Sequence, residues 1–91
     1  METRRCVIRG RVQGVGFRWF VTRNAADLGV RGTVRNRRDG AVEAMLQADE
    51  PGPLDALLER LWQGPPAARV ESVDAEAVGR GPRYPGFEVV R

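Results

Sequence analysis

Within the stretch "GRVQGVGFRWF", Gly10 to Phe20, the apolar residues of this chain change period. Upstream, "RRCVIRGRV" (Arg4–Val12) alternates as a half-buried strand does, with Cys6, Ile8, Gly10 and Val12 on one face and Val7 on the other. Downstream, Phe17, Phe20, Val21, Asn24, Ala25 and Leu28 recur at helical spacing until Gly29, a natural C-terminal stop. A strand that passes through a glycine loop straight into a helix opens a β-α-β unit, and this narrows the choice of folds sharply.

The remaining segments extend that unit. Val30–Arg37 ("VRGTVRNR") is predicted to be a polar strand, and Arg38-Asp39-Gly40 supplies hairpin chemistry, since Gly40 can take a positive φ. Ala41–Ala48 is the partner strand: Val42, Ala44, Leu46 and Ala48 make one face, Glu43, Met45 and Gln47 the other. The second helix lies in "DEPGPLDALLERLWQGPP", with an apolar stripe of Leu54, Leu57, Leu58 and Leu61. Pro53 suits its first turn, and Gly64-Pro65-Pro66 ends it. Arg69–Val78 reads as a strand whose apolar phase slips between Val70 and Val73, which predicts a bulge. Phe87–Arg91 closes the chain as a short strand. Trp19 and Trp62 are expected to pack.

The order β-α-β-β-α-β with an added strand describes an α/β (α+β) sandwich of the ferredoxin-like type. Both helices should lie on one face of a mostly antiparallel sheet. Residues 1–91 are expected to form a single domain.

Composition removes several classes of chemistry. Histidine is absent and Cys6 is the one cysteine, so a zinc site, a Ser-His-Asp triad and a Cys-His nucleophile are excluded, and no metal or cofactor is expected. No intrachain disulfide can form, no long apolar run spans a membrane, and no secretory leader is apparent; the expectation is a cytoplasmic monomer. The net charge is +3 and every basic residue is arginine. That bias fits a general preference for arginine, or attraction of an anion such as nucleic acid or a phosphorylated small molecule.

The candidate chemistry sits at the glycine loop. Gly14 and Gly16 permit backbone angles closed to other residues, so the amides of Gln13, Gly14, Val15, Gly16, Phe17 and Arg18 can turn inward as a nest for a polyanion. The following helix adds free N–H groups and its positive dipole end. Arg18, in the first helical turn, is a cation where the helix itself disfavours one, and a bound anion would offset that cost. Glycine in a strand-to-helix turn can equally just make the turn. The loop lacks the Lys-Ser/Thr ending of a Walker motif and the glycine spacing of a dinucleotide fingerprint. In the expected topology the first and second strands run parallel with the third between them. Their carboxyl ends therefore share one sheet edge, about 10 Å apart. Asn36 stands at the second of those ends, either as a turn residue with a local hydrogen bond or as an amide that holds a water. Glu71, Asp74 and Glu76 lie on a solvated strand face without metal-ligand spacing.

"GRVQGVGFR" together with "GTVRNRRDGAVE" closely resembles the acylphosphatases, small cytosolic hydrolases of acyl phosphates, and "QGPPAARVESV" and "GFEVVR" extend the resemblance over nearly the whole chain. The resemblance implies that Arg18 is the phosphate-binding catalytic arginine, that Asn36 orients the attacking water, and that the amides of about Gly14 to Arg18 cradle the phosphate. It implies an acyl phosphate substrate, inorganic phosphate as product, and no nucleic acid or membrane partner. Thr33 departs from the pattern, standing where the family usually carries an aromatic residue. Two alternatives stay open. One is a non-catalytic sensor of acyl phosphate. The other is an RNA-binding module, which would need aromatic residues that "RCVIRGRV" and "AVEAMLQA" lack.

Overall fold

A computed structural model covers residues 1–91. Its elements follow the expected order: β1 (Glu2–Arg11), α1 (Phe17–Leu28), β2 (Arg31–Asn36), β3 (Val42–Ala48), α2 (Pro51–Gln63), β4 (Arg69–Val78) and β5 (Phe87–Val89). The sheet runs β4-β1-β3-β2-β5. β3 pairs antiparallel with both β1 and β2, and β4 antiparallel with β1, whereas β5 lies parallel to β2, so the sheet is mixed.

Both helices bury into one core. Phe17, Val21 and Ala25 of α1 join Leu54, Leu57 and Leu61 of α2 over the sheet face formed by Cys6, Ile8, Val34, Val42, Ala44 and Leu46. Each buried leucine or phenylalanine contributes roughly 1.5–3 kcal/mol relative to exposure. Burial also pushes the Cys6 thiol up to about 12, with the negative charge of Asp74 adding to the effect. α1 is closed at its C-terminus by Val30 N–H on the Ala25 carbonyl at 2.8 Å and Gly29 N–H on that of Ala26 at 3.3 Å.

The bulge falls where the apolar phase slips. Arg9 faces Ser72 and Gly10 faces Val70, leaving Glu71 without a partner across the ladder. Gly10 has φ 127°, and a Cβ there would stand 2.2 Å from the Arg69 carbonyl oxygen; only glycine fits.

One expectation changes. Trp19 and Trp62 do not pack: they are 62% and 51% exposed. At 100° per residue, Trp19 points well away from the stripe of Phe17 and Val21, and Trp62 lies a full step beyond Leu61. Gln47 does lie on the helix-free face of β3, yet it is wholly buried. Its Nε2 donates to Thr3 Oγ1 at 3.0 Å and to the Pro82 carbonyl at 2.9 Å, and its Oε1 accepts Tyr84 N–H at 3.0 Å. A buried amide demands such partners, and here they fasten the β4–β5 connection across the sheet.

Candidate active site

The sheet register brings the two chemistry-bearing ends together. Ile8 of β1 and Asn36 of β2 both stand opposite Val42 of β3, so the glycine loop and Asn36 emerge on the same edge. Asn36 shares its side of β2 with Gly32 and Val34, which face the helices. The Gln13 side chain ties the two ends: its Nε2 donates to the Arg37 carbonyl at 2.7 Å and to the Ala41 carbonyl at 2.9 Å. The hairpin is further closed by Arg37 N–H on the Ala41 carbonyl at 2.8 Å and Ala41 N–H on Asp39 Oδ1 at 3.1 Å. That last bond holds the Asp39 carboxyl below its ordinary value, and Arg9 and Arg37 add to the effect.

Gly14 and Gly16 take φ 74° and 79°, the left-handed region, where a side chain is costly. Gly16 is the N-cap of α1, no side chain caps the helix, and its first turn holds no acidic residue. The first intrahelical bond is Phe20 N–H on the Gly16 carbonyl, at 3.0 Å. The amides of Phe17, Arg18 and Trp19 therefore have no acceptor within the helix. Arg18 is exposed and pairs with no carboxylate, whereas Arg4, Arg9, Arg35, Arg37 and Arg60 each do. Asn36 Oδ1 is buried and accepts no hydrogen bond.

These groups line one cavity of about 390 Å³. Gly14, Gly16, Arg18 and Asn36 form its polar part; Val12, Phe17, Trp19, Thr22 and Val89 complete the wall. A second hollow of about 410 Å³ is bounded by the same Arg18 and Asn36 together with Val90 and Arg91. Of the residues expected at the site, Gly14, Gly16, Phe17, Arg18 and Asn36 thus meet in the cavity. Gln13 and Val15 are not in its wall: Gln13 is the clamp to the hairpin, and Val15 packs against the core. Sequence reasoning missed Val12, Trp19, Thr22 and Val89. Trp19 carried a usable signal, being next to Arg18 and off the apolar stripe. Val89 carried none, because its place depends on β5 docking parallel to β2 and on Val90 N–H bonding the Val34 carbonyl at 2.9 Å.

The acylphosphatase family model matches residues 4–89. An acylphosphatase of Paraburkholderia xenovorans is 48% identical over 88 residues, covering 97% of this chain and 90% of that one. One from Nitrobacter hamburgensis is 54% identical over 78 residues, covering 82% and 75%. The crystal structure of acylphosphatase from Bacillus subtilis superposes with a TM-score of 0.94 at 33% identity, covering both chains fully. This chain belongs to the acylphosphatase family. The acylphosphatase match includes every residue of the 390 Å³ cavity, from Val12 to Val89. Thr33, the departure from the acylphosphatase pattern, points to the opposite side of β2 from Val34 and Asn36, away from that cavity.

Proposed function

We propose that this chain, acting as a single domain, hydrolyses acyl phosphates to a carboxylate and inorganic phosphate in the cavity between the glycine loop and Asn36. The substrate is a mixed anhydride, and its leaving carboxylate is a weak base that needs no proton, so a site without histidine suffices. Charge in the transition state spreads over the three equatorial phosphoryl oxygens. Arg18 grips two of them, and the unspent amides of the loop and of the first turn of α1 hold the rest. The Asn36 carboxamide carries both a donor and an acceptor, and rotation about its last side-chain bond turns either toward the cavity. It aligns a water for in-line attack at phosphorus. The P–O bond to the acyl carboxylate breaks as the new P–O bond forms, and the water's proton passes to a phosphoryl oxygen. Positioning and electrostatics carry the rate; no metal or cofactor takes part.

What supports this most is one observation: an arginine without a carboxylate stands beside uncapped helix amides in the cavity that also contains Asn36. The helix-free faces of β1 and β3 carry Arg5, Val7, Glu43 and Met45, without the aromatics an RNA-reading sheet would use. No helix is long and apolar enough to cross a membrane. A lone thiol buried at Cys6 agrees with a reducing cytoplasm. The test is release of phosphate from acetyl phosphate with a chelator present, run beside Arg18→Ala. The wild type should turn over and the variant should lose about 10³-fold or more of kcat/KM. Chelator-sensitive wild-type activity, or an undiminished variant, would contradict the proposal.

A further inference from the structure

Trp19 is the largest side chain left open to solvent near the site, and nothing in the fold requires it there. It sits directly after Arg18 in the first turn of α1, is 62% exposed, and forms part of the cavity wall. Arg23, one turn on, holds its guanidinium carbon 5.1 Å from the Trp19 ring centroid. A guanidinium there covers one face of the indole and steadies it. Val89 is likewise an exposed apolar side chain, at 47%, and lines the same cavity. The Thr22 hydroxyl donates to the Arg18 carbonyl at 2.8 Å, so its hydrogen is already spent. The cavity wall therefore combines two unlike sets of groups: the amides, Arg18 and Asn36, and the apolar side chains of Trp19 and Val89.

The volume points the same way. About 390 Å³ lies within the range of pockets that take a small organic ligand. It far exceeds the few water volumes, about 30 Å³ each, that a phosphoryl group displaces. Room remains beyond the phosphoryl group for the acyl part of the substrate.

Resting on the phosphate end assigned above, we infer that Trp19 selects the acyl group, stacking a planar, apolar acyl moiety on its indole, so that aroyl phosphates are favoured over short alkyl acyl phosphates. Trp19 is a specificity residue: it touches the substrate's acyl part and takes no share in transfer of the phosphoryl group. Aromatic pairing is worth enough to change discrimination by roughly two- to tenfold.

The experiment measures kcat and KM for benzoyl phosphate and acetyl phosphate with the wild type, Trp19→Ala and Trp19→Phe. Trp19→Ala should lower kcat/KM for benzoyl phosphate three- to tenfold, mainly through KM, and leave acetyl phosphate within twofold; Trp19→Phe should restore most of the loss. In a Trp62→Phe background, benzoate should quench the fluorescence of Trp19 and acetate should not. An unchanged benzoyl-to-acetyl ratio in Trp19→Ala, an equal loss on both substrates, or no difference between benzoate and acetate in the quenching overturns the inference while leaving the hydrolase intact. A wild type that hydrolyses neither substrate overturns the hydrolase itself, and the acyl preference falls with it.

Discussion

Arg37 and Arg18 have the same side chain and stand on either side of the same asparagine, yet the fold treats them differently. Arg37 follows Asn36 in the chain and spends its guanidinium on Glu43 at 3.3 Å and Asp39 at 3.1 Å. Around it, Arg35 reaches Glu43 at 3.2 Å and Arg9 reaches Asp39 at 3.2 Å, so three arginines on this side share two carboxylates. Arg18 shares the cavity with Asn36 but pairs with no carboxylate, and its helix start has neither a cap nor an acidic neighbour. A cation at the positive end of a helix costs the fold a few tenths of a kcal/mol to about 1 kcal/mol. For Arg37 the sequence supplies the counter-charge; for Arg18, in the proposed role, it is left to come from outside.

That contrast can be broken at several points. Arg18 carries the largest expected effect: beyond the loss given for Arg18→Ala, Arg18→Lys should keep the charge but lose the two-pronged grip, recovering only a small part of wild-type kcat/KM in the acetyl phosphate assay. Next comes Asn36→Ala, which should lower kcat by about 10²-fold with little change in KM, because it misplaces the water and leaves the phosphate grip in place. A matching rise in KM would move Asn36 from the water to the phosphate.

On the paired side the consequences are for stability and are small. The folded state holds Asp39 below its ordinary value, chiefly through the Ala41 N–H. A carboxyl depressed by folding stabilises above its unfolded value, about 3.9, and that contribution is lost as pH falls through the folded value. Asp39→Asn should therefore flatten the acid limb of the urea midpoint below about pH 4, with no change in the neutral-pH rate beyond twofold. An acid limb equal to that of the wild type would detach Asp39 from the hairpin's stability.

Most of this organisation was legible from the chain because it rests on local chemistry. The change of period across Gly14 and Gly16, the helix stop at Gly29 and the turn at Asp39-Gly40 each follow from backbone preferences of the residues present. The slip between Val70 and Val73 located the bulge that Gly10 accommodates. Arg18 and Asn36 could be placed at one sheet edge because topology alone sets parallel strands on either side of β3. What escaped is tertiary. The clamp made by the Gln13 side-chain amide gave no local signal, because the two carbonyls that accept it come near only once the hairpin has folded. The burial of Gln47 had no local signal because the loop that covers it comes from 35 to 37 residues away in the chain. Trp19 followed the general rule that tryptophan packs, and the helix had already given its inward positions to smaller side chains.

Inorganic phosphate offers the most direct trial, since it needs no turnover and leaves both sets of arginines free to compete. Titrated into the ¹⁵N-labelled protein, it should shift the amide resonances of residues 14–19 and the side-chain amide of Asn36, and Arg18→Ala should abolish those shifts. Shifts centred instead on Arg5, Arg35 and Arg37, with the glycine loop unmoved, would contradict the claim that Arg18 beside the uncapped amides of α1 marks the site.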